Sequence, residues 1–175
     1  YSTDIIIFGG GIAGLWLLNR LHNEGYQAIL LETEALGGSQ TIASQGIIHG
    51  GLIYALSGSL GGAADAIADM PARWRACMNG EGDVNIGGCK LLCDHFLMWS
   101  ESSFRSRLKT FLGSKSLRGR IASITVDDYP DFFRQQKLSG SLYRLPDFVV
   151  DTPSLLKVLS QTHQNNIFKI DPTSA

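Results

Sequence analysis

Phe8-Gly9-Gly10-Gly11-Ile12-Ala13-Gly14 is the stretch that decides the fold, because its G-x-G-x-x-G pattern lies between two regular elements. The apolar run Asp4–Phe8 leads into it and predicts a buried strand. Ile12–Asn23 follows and predicts a helix, and the apolar run Gln27–Leu31 predicts a second strand, parallel to the first. The sequence therefore predicts an α/β fold built on a parallel sheet.

The glycines of this stretch suit the diphosphate of a dinucleotide. Gly9 permits a tight turn, Gly11 lets the backbone approach a diphosphate, and Gly14 lets the helix and the strand pack closely. The diphosphate is expected at the helix N-terminus, where free N–H groups and the helix dipole favour negative charge. Glu32 follows the second strand, 18 residues after Gly14. Its carboxylate can accept hydrogen bonds from both ribose hydroxyls and would repel a 2′-phosphate.

Length and composition limit the class of protein. The chain has 175 residues, 44% of them hydrophobic, and a formal net charge of −1. These values predict a globular core and exclude a disordered chain or a general nucleic-acid or membrane-surface binder. Thirteen of the 20 glycines lie in residues 1–62, so we expect the ligand there. Three cysteines give no disulfide framework; we expect a cytoplasmic protein without a secretory signal or a membrane span.

Further along the chain, hydrophobic periodicity and turn residues predict alternating helices and strands. Pro71 is expected to kink or restart its helix, and Ser100 is expected to cap the helix after it. The predicted elements are a helix over Leu60–Asn79, a strand over Lys90–Trp99, a helix over Glu101–Leu112, a strand over Arg120–Val126, a helix over Asp131–Gln136, a strand over Ser141–Arg144, a helix from Pro153 to His163 and a strand over Ile167–Ile170.

The segment after Glu32 favours FAD over NAD as the dinucleotide. Gly37–Gly51 is rich in Gly, Ser, Thr and Gln, and Ala35–Ala64 contains no Asp, Glu, Lys or Arg. Such a segment could wrap the ribityl chain and the isoalloxazine ring of a flavin. An NAD site would usually be followed by another helix-and-strand unit, and an NAD-binding dehydrogenase domain remains an alternative.

Two quoted stretches resemble a known family. FGGGIAG (8–14) and LLETEALGGSQTIASQGIIHGG (30–51) are similar to the amino-terminal FAD-binding half of the D-amino-acid-oxidase-like superfamily, above all its glycerol-3-phosphate dehydrogenase and 2-hydroxyglutarate oxidase types. YRLPDFVVDTPSLL (143–156) also resembles the family, where a helix and a strand return the chain to the FAD domain. The resemblance implies a Rossmann-like FAD-binding domain over residues 1–86 and 151–175, interrupted by part of an α+β substrate domain over residues 87–150.

The resemblance also implies roles for individual residues. Contacts with the diphosphate are implied for Gly9, Gly11, Ile12, Ala13 and Gly14. Glu32 would bind the adenosine ribose, and Thr41 and Ser44 would meet the phosphate–ribityl region. Gly46, Ile47 and His49 would lie near the flavin ring. For His49 four roles remain open, which are flavin contact, proton transfer, covalent attachment of the flavin and a structural role.

The implied activity is that of an FAD-binding oxidoreductase, which oxidises a small amine or hydroxy acid by hydride transfer to the flavin. A non-catalytic nucleotide-binding fragment is the second alternative. No metal is expected, because Cys89, Cys93 and His95 lack the spacing and the fourth ligand of a metal site. A basic cluster is interpreted as a solvated helix face, with an anionic partner such as a tRNA-linked substrate as the lesser alternative; its members are Arg105, Arg107, Lys109, Lys115, Arg118 and Arg120.

Overall fold

A computed structural model of the chain describes residues 2–52, 67–101, 121–135 and 139–171. Short 3₁₀ turns at Val126–Asp128 and Gln164–Asn166 accompany the regular elements. In chain order these elements are β1 (Ile5–Phe8), α1 (Ile12–Asn23), β2 (Ala28–Glu32), α2 (Gln40–Ala43), β3 (Ile47–Ile48), α3 (Met70–Met78), β4 (Leu91–Cys93), β5 (Phe96–Glu101), β6 (Ala122–Ser123), α4 (Asp131–Gln135), β7 (Gly140–Leu145), β8 (Phe148–Val150), α5 (Thr152–Gln161) and β9 (Ile167–Lys169).

The chain divides into two compact units. The first contains residues 1–47, 73–92 and 149–175, and the second contains residues 48–72 and 93–148. The predicted boundary near residue 87 and the assignment of each part to a cofactor or a substrate domain stay predictions. A short three-stranded sheet has the order β3-β8-β4.

The first unit is built on a parallel sheet with the strand order β1-β2-β9. This confirms the predicted α/β class. One face of the sheet carries the buried Ile7 and Leu30, and α1 buries Leu15 and Leu18. Helix α5 begins at an Asp151 cap whose side chain accepts a hydrogen bond from the Ser154 N–H, as the Asp-Thr-Pro sequence favours.

A buried amide ties α1 to α5 inside this unit. Asn19 is 4% exposed, and its Nδ2 donates to the carbonyl oxygens of Leu15 and Leu159, at 2.8 Å each. Leu159 lies in the last turn of α5, where a backbone carbonyl has no N–H of the same helix to accept from. The Asn19 amide therefore satisfies a buried group that the helix itself cannot.

The opposite face of the parallel sheet is apolar and open. Phe8 is 75% exposed and Ile6 is 49% exposed, and both point to this face because side chains alternate along a strand. Ile6 pairs with Ile29, and Leu31 lies between Phe8 and Phe168 in register. Five apolar side chains therefore form a continuous row across the three strands.

A carboxylate links α1 and α3 within the same unit. Asp83 Oδ2 accepts from Arg20 at 2.7 Å and from Arg73 at 2.5 Å, and the Cys77 thiol donates to Oδ1. The hydrogen bond from Arg73 is the main reason why the pKa of Asp83 lies far below its usual range. The Asp83 side chain is only 14% exposed, so this ion pair is shielded better than a surface pair.

The second unit contains an antiparallel sheet with the order β5-β7-β6. Leu52 and Leu145 form a small core, against which Phe96, Met98 and Ile121 pack. Tyr129 is buried, and its hydroxyl accepts a hydrogen bond from the Leu142 N–H at 3.0 Å.

The structure corrects several predicted elements. The strand expected over Lys90–Trp99 is two strands in different sheets, β4 and β5, with a break where Cys93 Sγ contacts the His95 carbonyl at 3.1 Å. Ser100 does not cap a helix, because β5 continues through Glu101 in register with β7. The strand expected over Arg120–Val126 is only Ala122–Ser123 and is followed by a 3₁₀ turn.

Pro71 lies in the first turn of α3, where a missing N–H costs nothing, so it starts the helix rather than kinking it. The predicted helices at residues 60–66 and 102–112 and the basic cluster lie outside the described residues. Among the parts of the chain that are described, no helix has the length and hydropathy needed to cross a bilayer.

Candidate functional site

Glycine is required at Gly9, directly after β1, and at Gly14, in the first turn of α1. Gly9 has a φ of +98°, which other residues rarely adopt. A Cβ on Gly14 would stand 2.0 Å from the Gly9 carbonyl oxygen, so a larger residue would push the helix away from the strand. These two positions fix the direction in which α1 leaves the sheet.

The N-terminus of α1 is open to a ligand. Gly11 is its N-cap residue and offers no side chain to cap the helix. The Ile12 N–H donates to Thr41 Oγ1 at 3.0 Å. The N–H groups of Ala13 and Gly14 belong to the first turn, where no helix carbonyl can accept from them. An anion at this end would therefore meet unshielded donors and the positive end of the helix dipole.

Glu32 faces the same turn as an ionised carboxylate. Its Oε1 accepts from the N–H groups of Thr33 at 2.7 Å and Glu34 at 2.9 Å, and its Oε2 accepts from the Gly10 N–H at 2.6 Å. The Glu34 N–H, followed by the Gly10 N–H, lowers the pKa of Glu32 below its ordinary value. Oε1 also accepts from the Thr33 hydroxyl at 3.3 Å, whereas Oε2 accepts from the Gly10 N–H. Each carboxylate oxygen accepts about two hydrogen bonds, so roughly one position, on Oε2, remains for a ribose hydroxyl.

These groups line a cleft of about 310 Å³. That volume lies at the lower end of the range for small-molecule sites, which suits one part of a dinucleotide rather than all of it. Five residues predicted from the sequence meet there, namely Gly11, Ile12, Ala13, Glu32 and Thr41. The other lining residues, which the sequence analysis did not single out, are Glu34, Ala35, Gly37, Gly38, Ser39 and Gln40.

The Gly37–Gly38 pair is the signal that could have revealed this second wall. Gly37 has a φ of +67°, and its N–H donates to the Gly10 carbonyl at 2.9 Å. A Cβ on Gly37 would lie 2.4 Å from a methyl group of Leu156. A glycine pair directly after the second strand therefore marks the point where the chain turns back towards the first glycine turn.

Five predicted residues of the first unit lie outside the cleft lining; Gly9 and Gly14 shape the start of α1, and the others are Ser44, Gly46 and Ile47. Ser44 is exposed and follows α2, while Ile47 is 39% exposed on β3. Gly46 has a φ of +66°, its carbonyl accepts from the Val150 N–H at 2.9 Å, and its Cβ would lie 2.2 Å from the Val150 oxygen. The glycine at position 46 is thus explained by the approach of β8.

His49 belongs to a Gly-Gly turn in the second unit. Its Nδ1 accepts from the Gly51 N–H at 3.2 Å. The Gly50 N–H donates to Asp147 Oδ1 at 3.1 Å, and Asp147 is only 9% exposed. Asp147 lies 97 residues away from Gly50, and no local sequence pattern points to it.

A comparison with family models matches residues 4–163 to "DAO: FAD dependent oxidoreductase". Among curated proteins, the chain is 46% identical over 160 residues to the "Probable FAD-dependent oxidoreductase PA4991" of Pseudomonas aeruginosa. That alignment covers 91% of this chain and 41% of the relative. The chain thus spans less than half the length of the relative that it matches.

Solved structures show the same similarity. The crystal structure of PA4991 matches with a TM-score of 0.66 and 39% identity in the superposition, over 91% of this chain and 36% of that one. Glycine oxidase from Geobacillus kaustophilus gives 0.67 at 15% identity, over 97% and 46%. L-α-glycerophosphate oxidase from Mycoplasma pneumoniae, solved with FAD bound, gives 0.58 at 15% identity, over 98% and 45%. The last two similarities concern the fold alone.

Proposed function

This chain belongs to the DAO family of FAD-dependent oxidoreductases, and we propose that it binds the diphosphate end of FAD in the cleft at the N-terminus of α1. FAD is the cofactor of this family, and the expected membership is confirmed. We further propose that the whole enzyme oxidises a small amine or hydroxy acid by hydride transfer to the flavin. We propose, with the boundaries that the resemblance implies, that residues 1–86 and 151–175 belong to the cofactor domain and residues 87–150 to the substrate domain.

The observation that carries the cofactor proposal is the fit of the cleft to a diphosphate. Gly11 presents no Cβ, and the nearest atom to a Cβ built there is Thr41 Oγ1 at 3.3 Å. The space left by the missing side chain lets phosphate oxygens reach the backbone N–H groups of the first turn of α1. Glu32 stays ionised beside it and disfavours a third phosphate on the ribose.

Residues in the cleft and around it have different tasks in this proposal. The N–H groups of Ala13 and Gly14 would donate to the diphosphate, and Thr41 holds the Ile12 N–H while its own hydroxyl proton can point to a phosphate oxygen. Glu32 would orient the adenosine ribose through Oε2. The bound flavin would supply the hydride acceptor, and Gly46, Ile47 and His49 are proposed to contact its ring.

The two alternatives that the sequence left open have different support. A cleft of this shape could also take the diphosphate of NAD, but the family match favours FAD. A non-catalytic fragment remains a competing proposal for the isolated chain, since the chain covers 41% of its relative. The cytoplasm remains our proposed compartment on the basis of the three cysteines, which are all unpaired.

A titration with FAD tests the proposal. The Gly11→Ala substitution is expected to weaken FAD binding by about 10-fold to 100-fold, which corresponds to about 1.4–2.8 kcal/mol, because the new methyl group occupies the diphosphate approach. Binding is measured by the change in flavin absorbance and by quenching of flavin fluorescence. NAD added in place of FAD should produce no comparable stabilisation against thermal unfolding.

Gly87→Ala is the matched control. Gly87 is exposed outside the cleft, and its added Cβ would meet Asn85 and Met78 at 3.2 Å, which is as tight as the contact at Gly11. If both variants bound FAD equally well, or if the wild-type chain bound NAD but not FAD, the proposed site would be wrong. Bleaching of bound flavin by an amine or a hydroxy acid would separate the enzyme from the non-catalytic fragment.

A further inference from the structure

Leu156 of α5 packs against the second wall of the cleft, which is formed by residues 34–41. A Cβ built on Gly37 would have three heavy atoms of Leu156 between 2.4 and 3.2 Å away, and these are the nearest described atoms outside its chain neighbours. Leu156 is 8% exposed and lies in the second turn of α5. Its side chain therefore fills the space beside Gly37 where any other residue would carry a side chain.

Gly37 connects this contact to both sides of the opening of the cleft. Its N–H donates to the Gly10 carbonyl at 2.9 Å, and its own carbonyl accepts from the Ile42 N–H of α2 at 3.0 Å. Thr41, the residue before Ile42, accepts from the Ile12 N–H at 3.0 Å through its Oγ1. A displacement of Gly37 would therefore move the Thr41 hydroxyl relative to the N-terminus of α1, where the diphosphate is proposed to bind.

Helix α5 also holds α1, whose N-terminus is the first wall of the cleft. Asn19 of α1 donates to the Leu159 carbonyl at 2.8 Å. Leu159 follows Leu156 by three residues, which is about 4.5 Å along the helix axis. Adjoining turns of one helix therefore hold both walls, and all of these residues lie within the first unit.

We propose that Leu156 is a positioning residue for the cofactor cleft, which fixes the second wall through Gly37 and thereby presents the Thr41 hydroxyl to the diphosphate of FAD. Among the described residues, Leu156 does not line the cleft itself, so it acts through Gly37. The role in FAD binding rests on the proposed function, whereas the support of Gly37 by Leu156 does not.

Titration with FAD after truncation of Leu156 tests the role in binding. Leu156→Ala should weaken FAD binding by about 10-fold, because Gly37 can then move into the vacated space and carry Thr41 away from Ile12. Leu156→Met conserves the volume of the side chain and should bind FAD as the wild type does. Each variant is titrated at a temperature where circular dichroism shows it to be folded.

Leu155→Ala is the matched control. Leu155 has the same size and is 2% exposed, so its truncation should lower the free energy of unfolding as much as that of Leu156 does. Neighbouring residues of a helix do not share a face, and this variant should change FAD binding by less than about 2-fold. Equal weakening of FAD binding in Leu155→Ala and Leu156→Ala would overturn the proposal.

A double-mutant cycle with Gly37→Ala separates the support of the wall from general destabilisation. Alone, Gly37→Ala places a methyl group against Leu156 and should weaken FAD binding, because it pushes the wall away. In the Leu156→Ala chain the methyl group meets free space, so the same substitution should weaken binding at least about 3-fold less. The strain of an alanine at a φ of +67° is present in both backgrounds and cancels in the comparison. Equal effects in the two backgrounds would contradict the role of Leu156.

Amide hydrogen exchange without FAD tests the support of Gly37 independently of the proposed function. The N–H groups of Gly37 and Ile12 should exchange at least about 10-fold faster in Leu156→Ala than in Leu155→Ala, because only the first variant loosens their hydrogen bonds locally. Equal exchange rates in the two variants would overturn the proposal. A wild-type chain that binds no FAD would refute the proposed function, while the exchange rates would still decide whether Leu156 supports Gly37. Leu156→Val, which should give smaller changes in the same order, replaces Leu156→Ala in every arm if that variant does not fold.

Discussion

Replacing Asn19 by leucine tests how α1, the helix that presents the cleft, is held in place. The Asn19 amide donates at 2.8 Å to the Leu159 carbonyl, which belongs to the last turn of α5 and is buried. Leucine has a similar volume but cannot donate. The substitution therefore removes a hydrogen bond of about 1 kcal/mol and leaves a buried carbonyl unpaired, at a further cost of about 1–3 kcal/mol.

The apolar side chain offsets part of this loss, so we expect the free energy of unfolding to fall by about 2–3 kcal/mol. For a chain of this length that corresponds to a decrease in Tm of about 5–10 °C. Urea and thermal unfolding followed by far-ultraviolet circular dichroism measure both quantities. The comparison requires equal m-values, so that the change in midpoint reports stability alone.

Asn23→Leu is the matched control on the same helix. Asn23 is exposed, and its Nδ2 donates to the Asp83 carbonyl at 3.0 Å, where water can replace it. We expect that variant to lose less than about 1 kcal/mol. Equal losses in the two variants would refute the argument that the Leu159 carbonyl depends on Asn19.

Two further predictions concern ionisable groups. Glu32→Gln should lower the free energy of unfolding by about 1–3 kcal/mol and weaken FAD binding, because the amide has one acceptor oxygen where three N–H groups now share two. The exposed control substitution Glu81→Gln should have neither effect. Equal denaturation midpoints in the two variants would contradict the prediction. The ring of His163 stacks on His22 at 4.2 Å, and burial, followed by the charge of His22, lowers its pKa. The folded chain favours the neutral ring. The free energy of unfolding should therefore be highest at a pH above the ordinary histidine pKa of about 6.5, and it should fall as the pH drops below that value. Urea titrations between about pH 7.5 and about pH 5.5 should show that the free energy of unfolding decreases less in His163→Leu than in the wild type. Parallel pH dependences of the two proteins would argue against a role of His163 in this decrease.

The sequence was sufficient for the β1–α1–β2 unit, because its signals are local. The apolar run before Gly9, the helix after Gly11 and the acidic residue at the end of β2 each constrain their own neighbourhood, and their spacing suggests one common site. Position 37 carries a comparable signal, since the φ of Gly37 and its contact with Leu156 both disfavour a side chain there.

The remaining features depend on contacts between distant parts of the chain. Asp147 reaches Gly50 across 97 residues, and no local pattern distinguishes it from an ordinary turn aspartate. Likewise, the polar residues Asp94 and His95 interrupt the apolar residues of Lys90–Trp99, and the pairing of β5 with β7 and of β4 with β8 places its halves in different sheets. A short polar interruption does not show which strands the two halves will pair with.

The open apolar face of the parallel sheet affects how the folded state can be recognised. Parallel sheets are normally covered on both sides, and dyes that fluoresce on apolar surfaces are commonly used to detect partly folded states. The row that includes Ile6 and Phe8 offers such dyes a docking place on the folded chain. Dye fluorescence is therefore a poor indicator of unfolding for residues 1–175, and this chain in its folded form should be retained on phenyl-type chromatography media.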